Sequence, residues 1–352
     1  MGDQRVITVL EPQDEYPHEP DEASNYNESM YLNVFDAAQE LGAWFRLGNR
    51  VNEGYAEMSV CIYLPGGRVG FLFGRPRITT NEVMDAGGLR IDVVTPFERL
   101  DLSFDGEVCL LDDPLQMADP RRAFKENPMV PCSVRLEFRG ISPMYGGRPV
   151  NADGSEIEND AMNSFAKAHY EQHVAATGTI TVGEEAIEID GLGLRDKSWG
   201  PRFWQAVHWY RWLPFIFGPD FAMMISIVGG EDPSVPPRQT GMVLRDGEYS
   251  LIREARVESD WDDAGYQTAM RCWARTDDAE YEVTGEVLSL IPLRNRRTTP
   301  DGEQLTTRIT EAMTRYHCEG RTGIGMSEYL DQIVDGAPVG PDLAGTPVGA
   351  PV

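Results

Sequence analysis

Apolar and polar residues along this chain alternate far more often than they recur at helical spacing. In Tyr281-Glu282-Val283-Thr284-Gly285-Glu286-Val287 the odd positions are mostly apolar and the even ones polar. That alternation predicts a half-buried β-strand. Glycine turns punctuate such runs. Pro65-Gly66-Gly67 divides residues 55–64 from 68–73, and Asp105-Gly106 divides 100–104 from 107–111. Asp246-Gly247 divides 240–245 from 248–257, and Asp301-Gly302 precedes 304–318. Glycine supplies the positive φ of a tight turn, so each of these predicts a hairpin. Helical spacing is scarce. Its best instance is residues 160–173, where Met162, Phe165 and His169 recur at helical intervals.

Many short strands in two blocks predict an all-β, mainly antiparallel protein of two barrel or sandwich domains joined by a short linking helix. The expected boundaries are an extended N-terminal arm over 1–24, one β-domain over 25–165, a second over 166–335, and a disordered Gly/Pro/Ala tail over 336–352. A chain of 352 residues is long for one core and comfortable for two.

Charge narrows the partners. With 57 acidic and 31 basic residues the formal net charge is -26. Such a surface repels nucleic acid and anionic lipid, so neither nucleic acid nor membrane is expected as a partner. No apolar run approaches a bilayer span, and the acidic, Pro-rich start lacks the pattern of a signal peptide, which predicts a cytoplasmic protein. The five cysteines are scattered without a C-x-x-C and read as reduced structural thiols. Self-association is left open.

The chemistry concentrates in residues 191–212, GLGLRDKSWGPRFWQAVHWYRW, which hold four of the seven tryptophans. Trp199, Trp204 and Trp209 stand here beside Arg195, Asp196, Lys197, Arg202 and His208. Burying such a mixture is costly unless each polar group is paired. If residues 192–198 form a strand, Asp196 faces one side with Leu194 and Ser198, while Arg195 and Lys197 face the other with Trp199. Asp196 is then shielded from its basic neighbours, and an apolar pocket would keep its carboxyl protonated as a proton donor. Trp199 joins that pocket only if Gly200-Pro201 bends the chain. A purely structural clasp between domains, with Arg195 and Asp196 in an ion network, is the competing reading.

At Gly193-Leu194-Arg195-Asp196-Lys197-Ser198-Trp199-Gly200 the sequence resembles the carotenoid 1,2-hydratase/AttH-like superfamily, whose signature is aromatic-x-Asp-basic-x-Trp-Gly. Asn27-Glu28-Ser29-Met30-Tyr31, Arg46-Leu47-Gly48-Asn49-Arg50, Asn52-Glu53-Gly54-Tyr55 and Gly325-Met326-Ser327-Glu328-Tyr329 are similar to a bacterial branch of two-domain proteins within it. The resemblance implies two lipocalin-like β-domains. It also implies chemistry like that of hydratases acting on isoprenoid double bonds, or of fungal pericyclases, with the motif's Asp protonating an alkene. Only Asp196 carries over; Leu194 replaces the aromatic residue, Lys197 stands where the branch often has His, and no His-x-Trp is matched near His169 or His173.

The expected function is a cofactor-independent, acid-catalysed hydration, dehydration, isomerisation or cyclisation of an apolar terpenoid- or steroid-like molecule. Asp196 is the expected catalytic acid, with Glu53, at a strand start beside Tyr55, and His173 as further catalytic candidates. Trp199, Trp204 and Trp209 would face a cation, Arg195 or Arg202 would orient a carboxylate, and Lys197, Tyr55, His208 and Glu28 would complete the ligand contacts. No metal is expected: His169 and His173 have a metal-compatible i, i+4 spacing on the expected helix but no third ligand nearby. Gly191-x-Gly193 lacks the context of a dinucleotide fingerprint. Arg294, Arg296 and Arg297 read as a solvated basic loop. The alternative function is a non-catalytic carrier of a hydrophobic ligand. An enzyme requires Asp196 in a cavity, a clasp requires it in a bidentate pair with an arginine, and a carrier requires an apolar cavity without titratable groups.

Overall fold

The structure, a computed structural model, describes residues 6–157, 165–232, 234–298 and 302–340. Its strands form two antiparallel sheets. The first contains β1 (Val6–Val9), β2 (Tyr26–Asp36), β3 (Leu41–Arg50), β4 (Tyr55–Tyr63), β5 (Val69–Gly74), β6 (Met84–Ala86), β7 (Leu89–Thr95), β8 (Arg99–Leu111), β9 (Met129–Gly140), β10 (Tyr145–Asn151), β11 (Ala168–Val182) and β12 (Glu185–Pro201). The second contains β13 (Trp209–Gly218), β14 (Phe221–Gly229), β15 (Arg238–Arg245), β16 (Glu248–Leu251), β17 (Glu254–Trp261), β18 (Gln267–Arg275), β19 (Glu280–Thr298), β20 (Gln304–Cys318), β21 (Arg321–Val334) and β22 (Ala337–Pro338).

β9 pairs with both β8 and β11, so β8, β9, β11, β12, β2, β3, β4 and β5 close into a ring. A ring of that size is filled by its own side chains, here Leu32, Phe45, Val60, Phe104 and Phe138. The second sheet curls so that its ends nearly meet. Ile252 N–H donates to Gly241 O at 3.0 Å, and Ala255 N–H to the Gln239 side chain at 2.8 Å. Its interior holds Phe215, Ile225, Val257, Val283 and Tyr316. This is the all-β, two-domain lipocalin-like fold.

A third apolar cluster joins the barrels. Tyr31, Trp44 and Phe71 of the first sheet pack with Ile291, Met313 and Met326 of the second. Strands at this seam are therefore buried on both faces, as in β2, where every residue is buried. Fully burying each large apolar side chain contributes roughly 1.5–3 kcal/mol, so the seam stabilises both barrels at once.

The alternation at 281–287 is present: Tyr281 and Val283 are buried, Glu282, Thr284 and Glu286 exposed. Gly66 (φ +80) and Gly247 (φ +87) turn the chain as expected. Gly302 has φ +92 before β20, while Asp301 lies outside the described residues. Asp105-Gly106 makes no turn. It lies inside β8, opposite Ser133 and Cys132, and the Phe104 ring covers the space a Gly106 Cβ would occupy.

Several boundaries move. Residues 158–164 of the expected helix lie outside the described residues, and its end, from Ala168, is strand. An unbroken register with β12, from Ala168↔Trp199 to Val182↔Glu185, overrides the helical spacing. The α-helix among the described residues is instead α1 (Pro120–Glu126). Because β11 and β12 are hydrogen-bonded into the first ring, the junction falls between Pro201 and Trp209 rather than at 165. The N-terminal arm is ordered against the first barrel through β1 and buried Glu15. The tail begins as structure, with Ala337–Pro338 paired to β21; residues 341–352 lie outside the described residues. The basic run is part of β19 rather than a loop. All five cysteines are buried free thiols. No helix among the described residues is long and apolar enough to cross a membrane.

Candidate active site

Cross-strand partners share a face of their sheet. On the first sheet one such row runs Glu171, Asp196, Tyr31, Arg46, Ser59 and Phe73, across β11, β12, β2, β3, β4 and β5. On the second a facing row runs Ser226, Trp212, Glu328 and Glu311, across β14, β13, β21 and β20. Both rows border one cavity of about 1550 Å³ between the barrels. It is larger than most single-ligand pockets, which measure ~300–1,000 Å³.

Four carboxyls from the two rows meet this cavity. Glu171 is buried; Trp212 Nε1–H donates to its Oε1 at 2.8 Å across the seam, and its Oε2 has no hydrogen-bond partner. Burial, reinforced by the charge of Asp196 and opposed by His169 and the Trp212 bond, raises the Glu171 carboxyl to about 7. Glu311 and Glu328 are opposed in register, and Tyr210 Oη donates to Glu328. Burial raises both carboxyls, and for Glu311 the neighbouring Glu328 charge adds to it. Two like charges side by side disfavour double ionisation, so this pair retains a proton.

Asp196 lies on the cavity wall, with its Oδ2 3.5 Å from His169 Nε2. Burial opposes the imidazolium, but the hydrogen bond to Asp196 and the charge of Glu171 outweigh it, so the His169 pKa is raised. The strand pleat separates Asp196 from Arg195 and Lys197 as the alternation requires. On the opposite face Arg195 clasps the N-terminal arm, with Nη1 and Nη2 2.5 and 2.9 Å from the Glu15 carboxylate. Lys197 Nζ donates to Asp14 O and Tyr16 O, each at 2.6 Å, and pairs with Glu28 at 2.8 Å. Burial of Glu28 is outweighed by His18 and Lys197, which pull its carboxyl down to about 2. Trp199 stays on this face, stacked on His18 at 4.1 Å. A clasp and a cavity therefore occupy opposite faces of one strand.

Of the residues singled out in the sequence, Asp196, Arg202 and Trp204 line the cavity. Gly200, at φ +107, makes the bend that carries the last two there, and its missing Cβ leaves room for Lys167 at 2.4 Å. Arg195, Lys197, Trp199 and Glu28 belong to the clasp. Trp209 packs in the second core. The His208 carbonyl accepts from Gln332 N–H at 2.9 Å, away from the cavity lining. Glu53 pairs with Arg50 in a turn, and Tyr55 lies 5.3 Å beneath Arg75, both outside the lining. His173 is fully buried between the sheets, 2.9 Å from Tyr249 Oη, and burial lowers its pKa to about 4. In a strand, i and i+4 positions are roughly 13 Å apart, so His169 and His173 do not converge as a metal pair. No group of three His, Cys, Asp or Glu able to hold a metal occurs among the described residues.

Sequence reasoning missed Glu171 and Glu311, and passed over Arg46, Tyr210 and Glu328 inside segments it quoted. One signal was present for Arg46, a charged residue in the otherwise apolar run 41–47. Arg294 and Arg296 of the basic run also reach the cavity edge.

The same architecture occurs in solved structures. An AttH-like protein from Nitrosomonas europaea superposes with a TM-score of 0.60 at 13% identity, covering 92% of this chain and 97% of that one. Kievitone hydratase from Nectria haematococca gives 0.54 at 9% identity, with 94% of each chain covered. CghA bound to Sch210972 gives 0.51 at 12% identity, covering 94% and 97%. At these identities the likeness shows the fold alone, an all-β arrangement of two barrels. The chain belongs to the family described as a domain of unknown function, DUF7064, whose model matches residues 11–333. A stretch of 77 residues is 35% identical to elongation factor 4 of a Synechococcus species, but spans only 20% of this chain and 13% of that protein.

Proposed function

We propose that this chain is an enzyme of cofactor-independent acid–base catalysis. Its substrate is an apolar, terpenoid- or steroid-like molecule in the inter-barrel cavity, and the reaction is hydration, dehydration, isomerisation or cyclisation. The observation that carries the reading is the buried Glu171 carboxyl, raised to about 7 on the wall of a cavity whose lining includes Tyr31, Trp44, Phe71 and Trp212. A carboxylic acid kept neutral near pH 7 is a proton donor.

The geometry assigns its proton. Trp212 N–H occupies Oε1, so the proton resides on the unpartnered Oε2. Transfer to an alkene or to a leaving hydroxyl creates a carbocation, which the rings of Tyr31 and Trp212 on the wall would stabilise. The cation then takes up water, whose extra proton passes to the Asp196–His169 pair, or loses a neighbouring C–H proton to that pair to form an alkene. Titratable groups on the wall favour an enzyme over a carrier, and Asp196 in a cavity rather than in an arginine pair favours it over a pure clasp. The hydratase among the structural neighbours supports this reaction class.

The test is incubation with a panel of terpenoid and steroid alkenes and alcohols, read by mass spectrometry. Glu171→Gln and Asp196→Asn are each expected to lower turnover by about 10²–10⁴-fold. The wild-type rate is expected to fall as pH rises through about 7, where Glu171 loses its proton. Turnover unchanged by both substitutions removes the assignment. Tight binding without turnover by the wild type makes the protein a carrier.

A further inference from the structure

Three buried donors, on residues that line this cavity, have no acceptor among the described residues: Arg202 Nε, Arg46 Nη2 and Trp204 Nε1. Arg202 is 6% exposed, and its side-chain hydrogen bond runs from Nη2 to Ser198 Oγ at 2.6 Å. Among the described residues no carboxylate forms an ion pair with it. Aromatic rings hold the two guanidiniums together. The Arg202 guanidinium lies 4.1 Å from the Phe165 ring centre and 5.2 Å from that of Trp204; the Arg46 guanidinium lies 5.4 Å from the same Trp204 ring.

Carboxylates compensate Arg202 only from a distance, through Glu57 and Asp196. The Glu57 carboxylate is divided between Arg46 at 3.4 Å and Arg75 at 3.3 Å, leaving Arg202 without a share in contact. The wall carboxyls compensate little at contact: burial raises Glu171, the Glu311–Glu328 pair holds a proton, and Asp196, whose charge reaches Arg202, lies 3.5 Å from His169. Burial, then the Arg46 charge, outweigh the opposing charge of Asp196 and lower Arg202 to about 10. In a chain of net charge -26 this is a small positive site inside a negative molecule.

We infer that the ligand of this cavity is an apolar acid, whose carboxylate is held by Arg202 and Arg46 with Trp204 N–H as a third donor. A planar guanidinium matches a carboxylate with parallel N–H bonds, and charge-assisted bonds of this kind are the strong ones. A neutral alcohol would satisfy one donor and leave the cation without a counter-charge in contact. The inference rests on the cavity being the substrate site and specifies its substrate class: a carboxylate at one end, with the apolar skeleton carried along the rings towards Glu171 and Asp196.

Binding tests it without turnover. Farnesoic acid, its methyl ester and farnesol share one skeleton and are titrated against the full-length protein by calorimetry. The wild type is expected to bind the acid at least about tenfold more tightly than the ester and the alcohol. Arg202→Gln is expected to bring the three together, and Arg202→Lys to restore part of the preference. Equal affinities in the wild type, a preference intact in Arg202→Gln, or failure to bind any acid from decanoate to retinoate overturns the inference. The wild-type comparison does not depend on a variant folding. Acid preference without turnover removes the catalytic reading and leaves the anchor; turnover without acid preference does the reverse.

Discussion

Glu171 is a carboxyl that folding holds neutral. Its folded pKa of about 7 lies above the ordinary 4.5, so the native state favours the protonated form. The stability gained in this way is fully present below about pH 4.5 and is lost as pH rises through about 7. Glu171→Gln carries no such charge. It is expected to gain on the wild type between pH 5 and pH 9 by up to about 3 kcal/mol, measured by urea unfolding. Parallel stability profiles for the two proteins would show that Glu171 ionises freely. At this scale the sequence was legible for Asp196, because alternation alone assigns its face. It was not legible for Glu171, since the helical spacing of Phe165 and His169 concealed the fact that His169, Glu171 and His173 share one face of a strand.

β12 is the element in which the two readings of the motif meet. Its odd face, with Arg195, Lys197 and Trp199, fastens the N-terminal arm; its even face, with Asp196, borders the cavity. Arg195→Met leaves Glu15 buried without its counter-charge, which costs about 3–5 kcal/mol. The double variant Glu15→Gln/Arg195→Met is expected to recover much of that loss in the same melts. If the single and double variants are equally destabilised, the pair is not the clasp. The alternation of β12 could be read from its residues. Its partner could not: Glu15 lies 180 positions away, and nothing local to either segment reports on the other. Gly193 is similarly opaque in sequence, yet a Cβ there would lie 1.9 Å from Asn33 O, so only glycine lets β12 approach β2 this closely.

For the whole molecule the decisive feature is the seam. The cluster containing Tyr31, Trp44, Phe71, Ile291, Met313 and Met326 belongs to both barrels, and so does the Trp212–Glu171 bond. Shared burial couples the two halves, so calorimetry is expected to show one unfolding transition; two resolved transitions would show that the barrels are independent. Two domains were legible from the two blocks of strands. Their boundary was not, because β11 and β12 differ from second-barrel strands only in their hydrogen-bonding partners.

The four carboxyls of the two cross-strand rows are divided two and two between the barrels, so the chamber is complete in neither. Its shape depends on how one half leans against the other, and residues that touch no ligand can alter that lean. Exchanging the second barrel between members of the family should therefore transfer half of the proton inventory together with one wall. Choice of ligand can then change as an inherited property of posture, with every wall residue of the first barrel unchanged.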